Sequence, residues 1–241
     1  MTGVDPDGKV ARVAAIVVNW NGADDTIACL DGLAAARPSP WRVYVVDNAS
    51  TDDSPDRILA AHAACRLLRA TENHGYAAGF NWGRQQALQD GADYLWLLNN
   101  DTRVEPDALA ALLQASQDVE NAILAPLILR QDRSNQVWSA GGYLDWRLKS
   151  HHLPVAPVTT EPRVVQWATG CSLFCSAQVA RLVGPMDERY FLYLEDVDWC
   201  LRARAKGVLV YLVPRARIHH GISRSTDRLG SPSVWYYAWR N

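Results

Sequence analysis

The chain has 241 residues, 49% hydrophobic and 21% charged, with a formal net charge of −2. That length admits one α/β domain with a sizeable core or two small domains, and the near-balanced charge excludes the basic surplus of a duplex nucleic-acid binder. No run of about 18 apolar residues occurs, so no bilayer-spanning helix is expected, and the polar stretch Met1 to Val10 carries no signal-peptide pattern.

Residues 1–10 read as a flexible tail. Arg12 to Asn19 is a continuous apolar run, the pattern of a strand buried on both faces. Asn21-Gly22 marks a turn. Asp24 and Asp25 are placed to cap a helix that carries Ile27, Leu30 and Leu33 at helical spacing, and Pro38 and Pro40 end it. Trp41 to Val46 is a second strand, closed by the polar run Asp47 to Asp52. A helix is expected from Pro55 to Ala64, a short strand around Leu67 and Leu68, and a loop at Asn73-His74-Gly75. A helix follows from Tyr76 to Gln89, then a fourth strand from Tyr94 to Leu98 that ends in Asn99-Asn100-Asp101. Pro106 suits the first position of the next helix.

Strands and helices therefore alternate through the first 115 or so residues, which predicts a parallel sheet with crossover helices. Ligands of such sheets bind at the carboxyl ends of the strands. Three strands end in polar clusters, Asn19 to Asn21, Asp47 to Asp52 and Asn99 to Asp101, so this edge is the expected nucleotide pocket.

The second half reads differently. Ala122 to Leu129 is a strand, and Trp138 to Leu148 suggests a hairpin around Gly141-Gly142. His151 to Pro162 is a loop or flap. Val164 to Ala168 and Cys171 to Cys175 are short strands. Glu195 to Lys206 is a helix stopped by Gly207, and Val208 to Val213 is a last strand stopped by Pro214. The five cysteines are odd in number and form no C-x-x-C pair, so reduced thiols in the cytoplasm are expected. Most of the ten tryptophans should be packing residues, and some are candidates for lining a sugar or nucleotide site. The aromatic run Trp235 to Trp239 is an unusual terminus, so a trimmed end is expected.

Four short segments carry chemistry. A carboxylate at Asp101, after a buried strand, suits a divalent cation on a diphosphate, and suits equally a turn or helix cap. Glu195, Asp196 and Asp198 crowd the start of a helix. Acids there stabilise the helix dipole, and a positively polarised helix start also keeps a base such as Asp196 ionised. His219-His220 offers imidazole to a metal, or is ordinary surface structure. Asn73 to Asn81 sets small residues at a helix start, where backbone approaches phosphate. It is not a P-loop, because no Gly-Lys-Ser/Thr follows.

Together these stations resemble glycosyltransferase family 2, the GT-A fold, and especially its rhamnosyltransferase-like branch. Val17-Val18-Asn19-Trp20-Asn21 resembles the family's opening strand, and Val45 to Asp52 its nucleoside-binding strand end. Asn73 to Asn81 resembles its N-x-G-x-x-x-G-x-N loop. Leu97 to Asp101 is similar to a variant of its D-x-D motif. Glu195 to Arg202 resembles its E-D-x-D-x-C-x-R helix, and Ile218 to Gly221 its late histidine. Tyr236 to Asn241 resembles a segment that continues further in relatives.

The resemblance implies an α/β GT-A domain over residues 11–222, with a nucleotide-sugar half (11–103), an acceptor half (104–222) and a C-terminal segment (223–241). It implies that Asn19, Asn21, Asp47, Asn73, Gly75, Gly79 and Asn100 form the nucleotide site, with Asp47 on the base. Asp101 would bind Mg²⁺ or Mn²⁺, with His219 as a further ligand. Asp196 or Glu195 would be the general base of an inverting transfer of a sugar, rhamnose among the candidates. The donor would be dTDP-, UDP- or GDP-linked, and the acceptor a hydroxyl of a glycan or lipid-linked molecule. No nucleic acid is expected as a partner. The expected place is the cytoplasm, with peripheral contact at the inner face of the plasma membrane as an option. The motif holds one carboxylate where two are usual, which predicts weak metal affinity without donor. The alternatives are an inactive nucleotide-sugar or glycan binding module and a nucleotidyltransferase. The loop Asn19 to Asp24 lacks the basic residue that a nucleotidyltransferase usually carries there.

Overall fold

The computed structural model describes residues 11–132, 136–147, 149–153, 159–221, 236–237 and 240–241. The tail expected over residues 1–10, part of the flap expected over His151 to Pro162, and most of the segment 223–241 lie outside them. The nucleotide-side elements are β1 (Val13–Asn19), α1 (Ala23–Ala35), β2 (Arg42–Asp47), α2 (Ser54–Ala61), β3 (Arg66–Arg69), α3 (Gly75–Gln89), β4 (Tyr94–Asn99) and β5 (Thr102–Val104). Then come α4 (Ala108–Asp118), β6 (Ala122–Arg130), β7 (Val137–Ser139), β8 (Gly142–Leu144), β9 (Ser150–His152), β10 (Arg163–Val165), β11 (Ser172–Ser176), α5 (Ala177–Val183), α6 (Glu195–Ala205) and β12 (Leu209–His220).

One ten-stranded sheet runs β10-β12-β6-β11-β4-β1-β2-β3, with β5 on β12 and β7 on β6. Strands β3, β2, β1 and β4 are parallel, as the alternating pattern requires. β11 is antiparallel to both its neighbours, and β12 returns parallel to β6. Both faces of the sheet are covered, which is why β1 is apolar at every position but its last. Ala14, Ile16 and Val18 join one core cluster with Phe80 and Trp199, while Val13, Ala15 and Val17 join the other with Leu30 and Leu109.

Several local expectations need correction. The pair Gly141-Gly142 is not a hairpin tip. β7 pairs with β6, and β8 pairs with β9 through a turn at Asp145–Lys149. The glycines are there because Val165 and Trp167 press on them. A Cβ on Gly141, at φ +86°, would stand 2.6 Å from Val165, and one on Gly142 would stand 2.2 Å from the Trp167 ring. The last strand does not stop at Pro214. It runs on to His220, and a register shift between Val213 and Arg217 absorbs the missing N–H. Asp24 and Asp25 lie inside the first turn of α1, and Ser54 Oγ accepts the Ala23 N–H at 3.2 Å instead. Pro106 precedes α4 rather than opening it. Helix α5 has no sequence counterpart above; Ser176 caps it by accepting the Val179 N–H.

Helix α3 packs close on the sheet because Gly79 and Gly83 face it. A Cβ on Gly83 would meet Ile16 Cγ2 at 2.5 Å and Val46 Cγ2 at 3.1 Å. Overpacking of this kind costs about 1–3 kcal/mol, against a gain of roughly 1 kcal/mol in helix propensity. Gly83→Ala should therefore lower the thermal unfolding midpoint. A midpoint at or above that of the wild type would show that α3 shifts freely and that its spacing is not set by these glycines.

Candidate active site

The carboxyl ends of β1, β2 and β4 meet at one sheet edge, and their polar ends bond to one another. Asn19, fully buried, donates Nδ2 to Asp47 Oδ1 (2.8 Å) and Ser50 Oγ (3.1 Å), and accepts from Thr26 Oγ1 (2.7 Å). Asp47 Oδ1 also accepts from Ser50 Oγ at 2.5 Å, and its Oδ2 from the Ser50 N–H at 3.2 Å. Asn100 donates to Thr26 Oγ1 at 3.2 Å. Asn21 holds the Thr51 N–H at 2.8 Å. The tight exits from β1 and β2 put Asn21 (φ +48°) and Ala49 (φ +60°) in the left-handed region.

A cavity of about 470 Å³ opens in front of this network. Of the residues expected at the site, Asn73, Gly75, Asn100, Asp101, Glu195 and Asp196 line it. Asn19, Asn21, Asp47 and Gly79 do not. Asn19 and Asp47 are buried and bond to each other, the part-exposed Asn21 bonds Thr51 in the loop after β2, and Gly79 packs on Val18, where a Cβ would come within 2.9 Å. Asn48 ties β2 to the α3 loop by donating to Asn73 Oδ1 and Gly75 O, each at 2.9 Å. Gly75, at φ +87°, leaves room for Phe191, whose carbonyl a Cβ there would approach to 2.3 Å.

The pairing of β5 with β12 sets Thr102 opposite His220, so Asp101 comes to lie beside that histidine. His220 Nε2 is 3.1 Å from Asp101 Oδ1, and both side chains are buried. Their contact is an ion-pair separation without hydrogen-bond geometry, and Asp101 Oδ1 and His220 Nδ1 have no hydrogen-bond partner. Burial pulls the His220 pKa down, but its buried neighbours Cys171 and Asp101 outweigh it and raise it above the ordinary imidazole value. Burial pushes the Cys171 thiol up and keeps it neutral, so Asp101 is the effective charge.

His219, the histidine expected at the site, points elsewhere. Its Nε2 bonds Glu105 Oε1 at 3.0 Å, and it does not line the cavity. Strand alternation is the physical reason. Ala216, Ile218 and His220 are buried, while Arg215 and Arg217 are exposed. The alternation assigns the inward position to His220, and the sequence hid it because the strand was expected to stop at Pro214.

Helix α6 begins at the cavity. Gly170 N–H donates to Asp196 Oδ2 at 2.7 Å, and Val197 N–H to Asp196 Oδ1 at 2.8 Å. Desolvation raises the Asp196 carboxyl, although only part of its surface is covered, and these N–H bonds oppose the rise. Glu195 has less support, a single bond to its own backbone N–H. It is buried, its Oε2 has no hydrogen-bond partner, and desolvation with the nearby Asp196 charge pushes it up to about 8. Asp196 is thus the member suited to carry the negative charge, and Glu195 the one suited to hold a proton. Sequence reasoning also missed Trp138, His152 and Trp167, which line the far side of the cavity. Their rings pack in a row, Trp138 on His220 at 4.5 Å and on His152 at 4.8 Å, and His152 on Trp167 at 4.9 Å.

A four-stranded parallel half with a cavity at its carboxyl edge, extended by a mixed half that adds acids and a histidine, defines a GT-A nucleotide-sugar transferase architecture. The model of "Glycosyl transferase family 2" matches residues 14–176, more than half of the chain. The chain belongs to that family and is a glycosyltransferase. It is 26% identical over 242 residues to a dTDP-rhamnosyl transferase, RfbF, of Shigella flexneri, covering 96% of this chain and 78% of that protein. It is 30% identical over 224 residues to an N-acetylglucosaminyl-diphospho-decaprenol L-rhamnosyltransferase of Mycobacterium tuberculosis, covering 83% of this chain and 72% of that one. The fold is similar to that of GalNAc-T7 solved with UDP, GalNAc and Mn²⁺, with a TM-score of 0.73 and 16% identity over 86% of this chain and 42% of that one. Rhamnosyltransferase-like membership and the GT-A fold stand as expected. The nucleotidyltransferase and binding-module alternatives give way to glycosyl transfer. Among the described residues, no helix is long and apolar enough to cross a membrane.

The Glu195 carboxyl makes folding pH-dependent. Its ordinary pKa is 4.5 and its folded value is about 8, so between these values the folded state keeps a proton that the unfolded chain has released. Stability from this group is present below pH 4.5 and is lost as pH rises through about 8. Glu195→Gln should flatten that decline and raise the melting temperature most at pH 8. Parallel melting curves for variant and wild type across pH 5–8 would show that Glu195 is solvated.

Proposed function

We propose that the chain transfers a sugar, rhamnose the leading candidate, from a nucleoside-diphosphate donor to a hydroxyl of a glycan or lipid-linked acceptor, with inversion. The observation that carries this reading is Asp196, held by the Gly170 and Val197 N–H groups and facing the same cavity as the Asp101–His220 pair. Asp196 takes the proton of the acceptor hydroxyl as that oxygen attacks the anomeric carbon. Glu195, protonated, keeps the acceptor side free of a second negative charge. Asn73, Gly75 and Asn100 form the nucleotide wall, and Asn19, Asn21 and Asp47 hold it from behind. The named relatives that transfer rhamnose support the sugar and the dTDP-linked form of donor.

The residues at Asp101 fit a divalent cation, Mg²⁺ or Mn²⁺. Asp101 Oδ1 is a buried polar atom without a hydrogen-bond partner, 3.1 Å from His220 Nε2, and a carboxylate with an imidazole is a suitable donor pair. Among the described residues, no group of three or more His, Cys, Asp or Glu side chains is placed to hold an ion alone. That open set suits an ion that arrives with the diphosphate. When bound, the ion neutralises charge on the leaving diphosphate. His220 must give up its proton to take part, so its own contribution is a pH-dependent one.

Two outcomes test this. Asp196→Asn should lower transfer about 10²–10⁴-fold, the range for a lost general base, while the nucleotide-induced thermal shift stays intact. Wild-type turnover in that variant would sink the base assignment. His220→Ala should weaken the Mn²⁺-dependent part of the shift seen with dTDP, UDP, GDP or CDP, and His219→Ala should leave it unchanged. Equal loss in both variants would contradict the placement of His220 at the metal.

A further inference from the structure

The turn that delivers Glu195 and Asp196 has an unfavourable backbone. Tyr193 (φ +69°) and Leu194 (φ +67°) are consecutive residues in the left-handed region, and neither is glycine. A Cβ disfavours that region, and two in succession persist only where the surroundings hold them. Leu194 is also the residue before α6, and it has no side-chain cap.

The turn is held from two sides. On the α3 side, Phe191 O accepts the Tyr76 N–H at 2.8 Å, with Gly75 pressed beneath it. On the other side stand residues from the far end of the chain. Asn241 Nδ2 donates to Leu192 O at 2.8 Å and to Tyr193 O at 2.9 Å. The Tyr237 ring stacks on Phe191 at 4.8 Å with planes 17° apart, and the Asn241 N–H closes on Tyr237 O at 3.2 Å. In a left-handed turn, as in any helical turn, successive carbonyls point the same way. One amide NH₂ can then bridge two of them, and a group with one donor cannot.

We propose that Asn241 is a positioning residue for Glu195 and Asp196: its amide pins the carbonyls of residues 192 and 193, and Tyr237 clamps Phe191 beside them. The inference rests on the reading of Asp196 as the base. Asn241 does not touch the cavity. It acts through the turn, by fixing where α6 begins and so where the two carboxyl groups stand. Residues 191–194 line the cavity themselves, but Asn241 bonds only the carbonyls of 192 and 193. The Phe191 carbonyl stays tied to the Tyr76 N–H beside Gly75, so the nucleotide wall keeps its own support when the Asn241 donors are deleted. The acceptor's proton transfer should suffer and donor binding should not.

The test is kinetic. Asn241→Asp keeps the size of the side chain and replaces the NH₂ by an oxygen facing two carbonyls. A small misplacement of a catalytic group costs up to about 100-fold, so kcat should fall by roughly 10–100-fold with donor KM and nucleotide affinity within about twofold of wild type. Tyr237→Ala should act the same way, and Tyr237→Phe, which keeps the stacked ring, should restore wild-type turnover. Wild-type kcat in Asn241→Asp overturns the proposal. So does a variant that loses kcat, donor KM and melting temperature together, since that is general destabilisation. Asp196→Asn, run in parallel, separates the two claims. If it is inactive while Asn241→Asp is at full turnover, only the positioning role falls; if it is active, the base reading falls first.

Discussion

Three carboxyl groups, Asp101, Glu195 and Asp196, share one cavity, and the site depends on how their charge is balanced away from bulk water. Each is handled by different chemistry. Asp101 has the His220 imidazole 3.1 Å away. Asp196 has two backbone N–H groups. Glu195 has only its own backbone N–H, and desolvation with the Asp196 charge raises its pKa until the group is neutral. Tyr76, half-buried beside all three, is pushed well up by desolvation and by its acidic neighbours, and stays a neutral donor to Gly170 O at 2.9 Å. Gly170 links the two systems, since its N–H holds Asp196 and its carbonyl takes the Tyr76 hydroxyl.

The fold achieves this with few long-range pairings. β5 is three residues long, yet its pairing with β12 sets His220 beside Asp101 across more than a hundred positions of sequence. β12 reaches that point only because it passes Pro214 with a register shift. Backbone strain gathers at the same edge: Asn21, Ala49, Tyr193 and Leu194 all have positive φ and lie at or next to the cavity wall. Short exits from strands and helices bring polar groups close together, and buried hydrogen bonds such as Asn19 to Asp47 compensate.

Much of this was legible in the sequence, and the exceptions have physical reasons. Runs such as Val13 to Val18 and Tyr94 to Leu98 announce doubly covered strands, because burial on both faces removes the polar alternation. The polar strand ends announce the edge at which they meet. What local pattern does not carry is which side of a wall a residue takes. Asn19 and Asp47 are polar residues at a ligand edge, and the structure turns them toward each other. Gly79 stands in a loop-like motif, but its lack of a Cβ serves the packing of α3 on Val18. His219 and His220 are separated by parity alone, which needs the extent of β12, and Pro214 hides that extent. Gly141-Gly142 resembles a turn because pressure from Val165 and Trp167 demands the same residue type.

The charge balance also accounts for the sparse metal motif. Asn99 and Asn100 stand where a second carboxylate is usual. On the proposed reading, with Glu195 neutral, an acid there would add a third negative group to a cavity that must also admit a diphosphate. Two like charges at 4 Å repel by roughly 4 kcal/mol at an effective dielectric of 20, so a third negative charge would oppose the donor before any cation helped. With an asparagine pair instead, the His220 proton offsets Asp101 in the free enzyme. Asp101 and His220 are the residues that would hold a cation there, and the ion would supply positive charge at the diphosphate. Asp196 remains the one group whose negative charge is directed at the acceptor.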